Sequence, residues 1–353
     1  MRRAGRPLAL ALALAGAAGC NAGFAPQWRV DDLRILSARV EVVGTGAPTF
    51  ADPDAGETVR LSALVANPRG RAGVHVRWKA CLPVEGQVSS PCLDPAILRD
   101  PARLDTTPGV LDLGSGESVT VTLPPSLAPL LQAILDEARQ DPPRACTIYA
   151  EVPVLALVSA GGTTRIAAKT VRATPWHALA QDPPPGAYVR NTNPVLGAVR
   201  AGASDTGACS GGVPVARPCA SDADCGGVAC VPGPGGPDAP GACADAMPDG
   251  RLDLCARVAD PPLPQPDPPR VTGPQVYFEC RSDGSHTSFF EGLTWQWYAT
   301  GGVLERTDGS SPGDLGDVTG QVVRFTRPEG AFTLWLILRD GRGGEDWIRR
   351  DYR

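Results

Sequence analysis

Histidine and cysteine are the side chains that could give this chain nucleophilic, acid–base or metal chemistry, and histidine is scarce. The three histidines, His75, His177 and His286, lie far apart, and none has a histidine partner at metal-ligand spacing. The sequence also lacks a Gly-x-Ser-x-Gly elbow, a His-Glu-x-x-His helix and a Walker loop. Carboxylates that are distant in sequence can still meet in a fold, as in glycosidases. On balance we predict a protein that is not an enzyme and uses no cofactor or metal.

The eleven cysteines divide into Cys20, close to the start, and ten others. An even number of cysteines in an exported chain is typical of disulfide cross-links, whereas a zinc site would need Cys-x-x-Cys pairs or nearby histidines. Spacing alone does not fix the pairing. The disulfide candidates are Cys81, Cys92, Cys146, Cys209, Cys219, Cys225, Cys230, Cys243, Cys255 and Cys280.

The first 19 residues have the pattern of an export signal. Arg2, Arg3 and Arg6 precede an apolar run over residues 8–14, and small residues follow up to Cys20. The run is too short to span a bilayer of about 30 Å. We therefore predict that residues 1–19 are a signal peptide and that residues 20–30 are a tether.

The sequence Ala17-Ala18-Gly19-Cys20 resembles the lipobox of bacterial lipoproteins, which usually have leucine where Ala17 stands. The resemblance implies cleavage before Cys20, a diacylglyceryl group on its thiol and acylation of its amino group. Two or more acyl chains hold a protein on a bilayer, where one chain gives only marginal binding. Asn21 in place of aspartate implies, by the same resemblance to Gram-negative lipoproteins, the outer membrane. The alternative is an ordinary signal peptide with an incidental or disulfide-bonded Cys20.

The charge balance argues against nucleic acid as a partner. The full chain has a net charge of −5, and removal of residues 1–19, which hold three arginines and no acidic residue, makes it −8. A nucleic-acid-binding protein needs a basic surface to neutralise phosphates.

Residues 31–175 have the pattern of a first β-sandwich domain. Residues 33–43, 58–65 and 74–81 alternate apolar and polar side chains, and further strands are expected at 118–123, 146–158 and 163–173. One helix is predicted from Ser126, with apolar residues at a spacing of three to four up to Leu135. We expect this helix to cover an open end of the sandwich; the alternative is a helix that docks on a membrane or a partner.

The combination of Trp78, Cys81 and Cys146 resembles the central tryptophan and inter-sheet cystine of immunoglobulin-like domains, although the first cysteine of that family precedes the tryptophan. Alternatively, Cys81 and Cys92 are close enough in sequence to close a loop.

Residues 176–353 have the pattern of a second β-sandwich domain. We expect its first strand in residues 190–199 and the partner strands after residue 270, at 276–280, 293–297, 322–325 and 332–338. Residues 340–344 predict a tight hairpin before an edge strand. The stretch from Trp295 to Trp347 resembles immunoglobulin-like or polycystic-kidney-disease-type modules of bacterial surface lipoproteins.

A disulfide-rich insertion is expected at residues 205–258, followed by a proline-rich linker at 260–269. Six cysteines fall within 47 residues that offer almost no aliphatic core, so cross-links must replace hydrophobic burial. The segment 218–230 resembles short disulfide-rich repeats of exported proteins in some high-GC Gram-negative bacteria. Asp222 and Asp224 leave calcium open as an alternative to solvated acidic turns.

Together these patterns predict an outer-membrane lipoprotein with a non-catalytic structural or protein-interaction role. The main alternative is a glycan-binding module in which exposed indoles stack on sugar rings, with Trp295, Trp297, Trp335 and Trp347 as the candidates. An inhibitor-like disulfide knot in residues 205–258 is a third hypothesis.

Overall fold

The computed structural model describes residues 26–46, 49–82, 92, 94–140, 148–181, 190–203, 213–214, 218–219, 230–231, 241–243, 251–258, 276–280, 286–290, 292–305, 308–310 and 321–352. Between residues 197 and 290 the structure describes the backbone of the strands and not their side chains. The predicted mainly β fold is confirmed: antiparallel sheets dominate, and helices are few and short.

The first seven strands form two antiparallel sheets, which with their helices we call the N-terminal unit. One sheet has the order β1-β2-β5 and the other β4-β3-β6-β7. Val110–Ser115, a strand that the sequence did not predict, lies at the edge of the second sheet. The strands are β1 (Arg34–Val42), β2 (Thr58–Ala66), β3 (His75–Cys81), β4 (Val110–Ser115), β5 (Ser118–Thr122), β6 (Ala150–Ala160) and β7 (Thr163–Ala173).

The inner faces of the two sheets enclose one core. Trp78 on β3 is only 1% exposed and donates its indole N–H to the Gly116 carbonyl at 2.9 Å, so the bulky ring is buried with its polar atom satisfied. Val40, Leu61 and Val154 pack in the same core. The period-two alternation of the sequence is therefore the alternation between core and outer face.

The sequence predicts one helix in the first domain, residues 31–175, whereas the described residues of that range form two, α1 (Pro95–Arg99) and α2 (Ala128–Gln140), and a third, α3 (Trp176–Gln181), follows directly. The predicted helix corresponds to α2. Ser126 lies in a 3-10 turn, Pro125–Leu127, that leads into it. Leu131 reaches the sandwich core while Leu135 packs with Leu179 of α3, so the helix does cover the sandwich as expected.

The remaining strands form the sheets of what we call the C-terminal unit. Its two larger sheets have the orders β17-β19-β13-β8-β9 and β18-β16-β20-β21. A three-stranded sheet, β10-β12-β11, and a hairpin, β14-β15, complete it. The strands are β8 (Leu196–Ala203), β9 (Val213–Pro214), β10 (Pro218–Cys219), β11 (Cys230–Val231), β12 (Gly241–Cys243), β13 (Arg251–Val258), β14 (Val276–Cys280), β15 (His286–Phe290), β16 (Leu293–Ala299), β17 (Val303–Leu304), β18 (Asp308–Ser310), β19 (Gln321–Thr326), β20 (Phe332–Asp340) and β21 (Glu345–Tyr352).

The structure corrects the expected extent of the insertion. Strand β13 lies within the predicted disulfide-rich segment 205–258, yet it is the centre of a five-stranded sheet, between β8 and β19. Strand β8 therefore pairs with β13 on one side and with the short β9 on the other, both within the predicted insertion, rather than with a strand after residue 270. The segment between β8 and β13 is an elaborated connection between two neighbouring antiparallel strands. The predicted linker 260–269 lies outside the described residues.

Strand β20 is buried on both of its faces. Leu334, Leu336 and Leu338 point into the core of the C-terminal unit, which also holds Trp295 and Trp297 of β16. The alternate residues Trp335 and Ile337 belong to a different apolar cluster, outside that core. An unbroken apolar run such as residues 334–338 is typical of a strand that is covered on both sides.

Candidate functional site at the junction of the two units

The apolar part of the junction joins the outer face of β20 to the N-terminal unit. Trp335 and Ile337 pack with Leu36 of β1 and with Leu64 and Ala66 of β2, and all five are less than a tenth exposed. Burial of these side chains stabilises the contact by roughly 25 cal/mol for each Å² of apolar surface removed from water. The two units therefore meet through a hydrophobic core of their own.

Polar groups of the hairpin between β20 and β21 cross the same junction. Lys169 of β7 donates from Nζ to the Glu345 Oε1 carboxylate and to the Gly343 carbonyl, both at 2.8 Å. Ser37 of β1 donates to the other oxygen of Glu345. Both oxygens of this buried carboxylate thus bind the N-terminal unit.

A second carboxylate, Asp346, binds the N-terminal unit through one oxygen and the start of β8 through the other. Its Oδ1 accepts from Arg39 Nη1 at 2.7 Å, and its Oδ2 accepts from the backbone N–H of Leu196 at 2.7 Å. The Arg39 guanidinium also lies 4.6 Å from the centre of the Trp347 ring, in cation–π geometry. Burial raises the pKa of Asp346, and the nearby Arg39 charge partly opposes that shift.

Two buried asparagines, Asn191 and Asn193, hold the segment that connects the two units by hydrogen bonds. Asn193 donates from Nδ2 to the Val40 carbonyl at 2.7 Å and to the Thr49 hydroxyl at 3.0 Å, while its Oδ1 accepts from the Glu345 backbone N–H at 2.9 Å. Asn191 donates from Nδ2 to Asp340 Oδ2 at 3.2 Å. The connection is therefore part of the junction and is held by it.

Two buried carboxylates flank Asn191. Its backbone N–H donates to Asp52 Oδ2 at 3.0 Å, and Asp340 accepts from its amide on the other side. Burial raises the pKa of Asp52 to about 7, although the Asn191 N–H and the charges of Arg190 and Arg342 lower it. Burial also raises the pKa of Asp340. The junction therefore holds carboxyl groups that bind protons more tightly when folded than when unfolded.

The structure settles one cystine of the predicted framework. Cys81 and Cys92 form a disulfide with a Cα–Cα distance of 5.9 Å, and the outer face of β6 packs on it through Leu155. The loop-closing alternative for Cys81 is thus confirmed, and the resemblance to an inter-sheet cystine with Cys146 fails because Cys81 is already paired. Cys20, Cys146, Cys209 and Cys225 lie outside the described residues, whereas Cys219, Cys230, Cys243, Cys255 and Cys280 lie on described strands.

The tryptophans proposed to stack on sugars are in the wrong place for that role. Trp295, Trp297 and Trp335 are at most 3% exposed, and Trp347 is partly buried beside Arg39. Their alternation follows the core and the junction, because side chains on one face of a strand share one environment. The premise of exposed indoles in a flat row is wrong for these residues.

The chemistry-bearing residues are not brought together. His75 is exposed on β3, and His177 is on α3 with Gln181 Nε2 at 3.0 Å from its Nε2. His286 begins β15. In the described part of the chain no group of three or more histidine, cysteine, aspartate or glutamate residues could hold a metal ion. Among the same residues, no helix combines the length and apolar character needed to cross a membrane. Asp222 and Asp224 lie outside the described residues.

Comparison with known proteins assigns neither a family nor a function to the chain. No family model and no curated protein matches the chain. The adhesin InvE of Yersinia pseudotuberculosis aligns over 91% of this chain and 60% of its own, at 9% identity and a TM-score of 0.17. Alpha-2-macroglobulin of Salmonella, reacted with methylamine, aligns over 94% of this chain and 17% of its own, at 8% identity and a TM-score of 0.19. The chain thus spans less than two thirds of either protein, and scores this low establish neither a shared fold nor a function.

Proposed function

We propose that this is a lipid-anchored protein of the cell envelope, with a non-catalytic structural or protein-interaction role, in which two β-units are held in one fixed orientation. The observation that supports this role most is the burial of β20 on both faces. One face builds the core of the C-terminal unit, and the other, through Trp335 and Ile337, packs on the N-terminal unit.

A fixed orientation is what distinguishes this junction from an ordinary pair of domains. Units joined by small polar interfaces move relative to each other by default, and a large hydrophobic contact prevents that motion. Here the hydrophobic contact is combined with partly buried ion pairs from Glu345 to Lys169 and from Asp346 to Arg39. Directional hydrogen bonds of this kind define one relative placement of the two units. Such rigidity suits a protein that spaces or presents surfaces.

The start of the described chain limits the reach of the proposed anchor. Val30 N donates to the Ala299 carbonyl at 3.0 Å, and Ala299 N donates to the Trp28 carbonyl at 3.0 Å, so this part of the predicted tether pairs with the end of β16. Only six residue steps separate Cys20 from Pro26. At about 3.5 Å per residue they extend over at most about 20 Å. A lipid on Cys20 would therefore hold the Ala299 end of the C-terminal unit close to the bilayer.

The Cys81–Cys92 disulfide supports an oxidising compartment, as an exported protein requires. We carry the outer membrane forward from the lipobox resemblance and Asn21 as part of the proposal. The indole-stacking alternative has no support from the described tryptophans.

The proposal is tested in the native bacterium by deleting the gene and restoring it as wild type, Cys20→Ser or Ala22→Ser. Ala22→Ser is the matched control, because it makes a similarly small exchange two residues away and keeps the cysteine. We expect wild type and Ala22→Ser in the membrane fraction and Cys20→Ser in the soluble fraction. We also expect deletion of the gene to make the envelope more sensitive to detergent. Only the anchored forms should restore its resistance. Full restoration by a soluble Cys20→Ser protein would overturn the anchored role.

A further inference from the structure

Three short strands in the chain segment that connects β8 to β13 each carry one cysteine. In the sheet β10-β12-β11, the central strand β12 carries Cys243 and the outer strands carry Cys219 and Cys230. The antiparallel pairing of β11 with β12 sets Cys230 directly opposite Cys243. The pairing of β10 with β12 sets Cys219 opposite Gly241.

We propose that Cys230 and Cys243 form a disulfide across β11 and β12. Residues directly opposite each other in an antiparallel pair have Cα atoms about 4.5–5.5 Å apart. Disulfides span Cα distances of about 4.4–6.8 Å, so this register suits a cross-link without movement of the backbone.

The register also favours Cys230 over Cys219, the third cysteine of this sheet, as the partner of Cys243. Gly241 and Cys243 are two residues apart on β12 and so share a face, which places Cys219 diagonally from Cys243. Diagonal neighbours in a sheet are about 7–8 Å apart, beyond the usual span of a disulfide. Among the cysteines on described strands, Cys230 is the one that lies directly opposite Cys243.

Formation of the bond is an ordinary two-electron oxidation. Each of the two thiols gives up one proton and one electron, and the S–S bond forms between the two sulfur atoms. The oxidant is a disulfide of an exchange partner in the export compartment, which accepts two electrons and two protons and leaves as two thiols. The reaction passes through a mixed disulfide after attack by one thiolate.

The cross-link explains how so short a ladder persists. Strands β10 and β11 have two residues each and β12 has three, and two-stranded pairings of that length are not stable by themselves. The bond would close the chain from Cys230 to Cys243 into a ring within the connection between β8 and β13. The proposal does not depend on the lipid anchor.

The first test maps the thiol that a single substitution releases. Protein isolated from the native envelope is alkylated without reduction, as wild type, Cys230→Ser, Cys243→Ser and the control Cys225→Ser. We expect Cys230→Ser to release an alkylatable thiol at Cys243, Cys243→Ser to release one at Cys230, and Cys225→Ser to release neither. Release of Cys219 by Cys243→Ser, or of any cysteine other than Cys243 by Cys230→Ser, would overturn the proposal.

A second test uses the wild type and so does not require the variants to fold. Cleavage before aspartate gives one peptide of residues 224–237, which holds Cys225 and Cys230, and another of residues 238–244, which holds Cys243. We expect the two peptides to be linked before reduction, and fragmentation between Cys225 and Cys230 to place the link at Cys230. A link at Cys225, no link between the peptides, or free thiols in the wild type would overturn it.

Discussion

Replacing Asn193 with alanine removes the side chain that ties the connecting segment to both units. The change deletes the hydrogen bonds from Nδ2 to the Val40 carbonyl and the Thr49 hydroxyl, and the one that Oδ1 accepts from the Glu345 N–H. The Val40 carbonyl and the Glu345 N–H would then be buried without these partners. Each such group costs about 1–3 kcal/mol, so we expect the free energy of unfolding to fall by about 3 kcal/mol.

The assay is urea unfolding followed by tryptophan fluorescence, in which the shift of the midpoint multiplied by the m-value gives the loss. The matched control is Asn67→Ala, where the asparagine accepts a hydrogen bond from the Arg69 N–H at 3.2 Å in an exposed turn of one unit. We expect the control to lose less than about 0.5–1 kcal/mol.

A second readout separates the junction from a local fold defect. Small-angle X-ray scattering should show a larger radius of gyration for Asn193→Ala than for Asn67→Ala, because the units are no longer held in one orientation. Equal losses of stability in the two variants, with equal radii, would refute the structural importance of this junction.

Three further predictions follow from the same contacts. The pKa of Asp52 is raised by burial to about 7, against an ordinary value of 3.8, so the folded protein binds an additional proton between these values and its stability falls as the pH rises through that window. At 1.36 kcal/mol per pKa unit, the part of the window above pH 5 corresponds to a loss of about 3 kcal/mol, which urea unfolding at pH 5 and pH 8 should show in the wild type and to a much smaller degree in Asp52→Asn. Trp335→Ala should lower the free energy of unfolding by about 3–5 kcal/mol, although the ring lies outside both sandwich cores. The control Val303→Ala, at a side chain that is 52% exposed, should lower it by less than about 0.5 kcal/mol. Equal urea midpoints for the two variants would contradict the role of β20. Reduction of the Cys81–Cys92 disulfide should lower the free energy of unfolding by about 3 kcal/mol, the entropic cost of closing a loop of this size. The control is a Cys81→Ala, Cys92→Ala double variant. If it loses as much stability on reduction as the wild type, the loss arises from other cysteines.

The sequence predicted six of the seven strands of the N-terminal unit, most clearly those in which apolar and polar side chains alternate, and it missed β4. It failed for β13, whose residues 251–258 sit among cysteines and prolines and were assigned to the insertion. It also missed α1, a helix of five residues too short to show a helical period. Composition over a window describes the average of a segment, and a single strand inside it is lost in that average.

The junction could be predicted only in part. The apolar run of β20 has the composition of a strand that is buried on both faces, and that signal was present in the sequence. The polar contacts across the junction had no such signal, because Lys169 and Glu345 or Arg39 and Asp346 are ordinary charged residues until the fold brings them together across 176 and 307 positions. Asn191 and Asn193 had the pattern of a turn before a strand, and their burial depends on that same tertiary contact.

The most direct test of the proposed anchor is the intact mass of the protein extracted from membranes, before and after reduction and alkylation. We predict a chain that begins at Cys20, carries added acyl mass, and has its ten other cysteines alkylated only after reduction. A chain without acyl mass, or one with thiols that react before reduction, would contradict a lipid-anchored, fully cross-linked envelope protein.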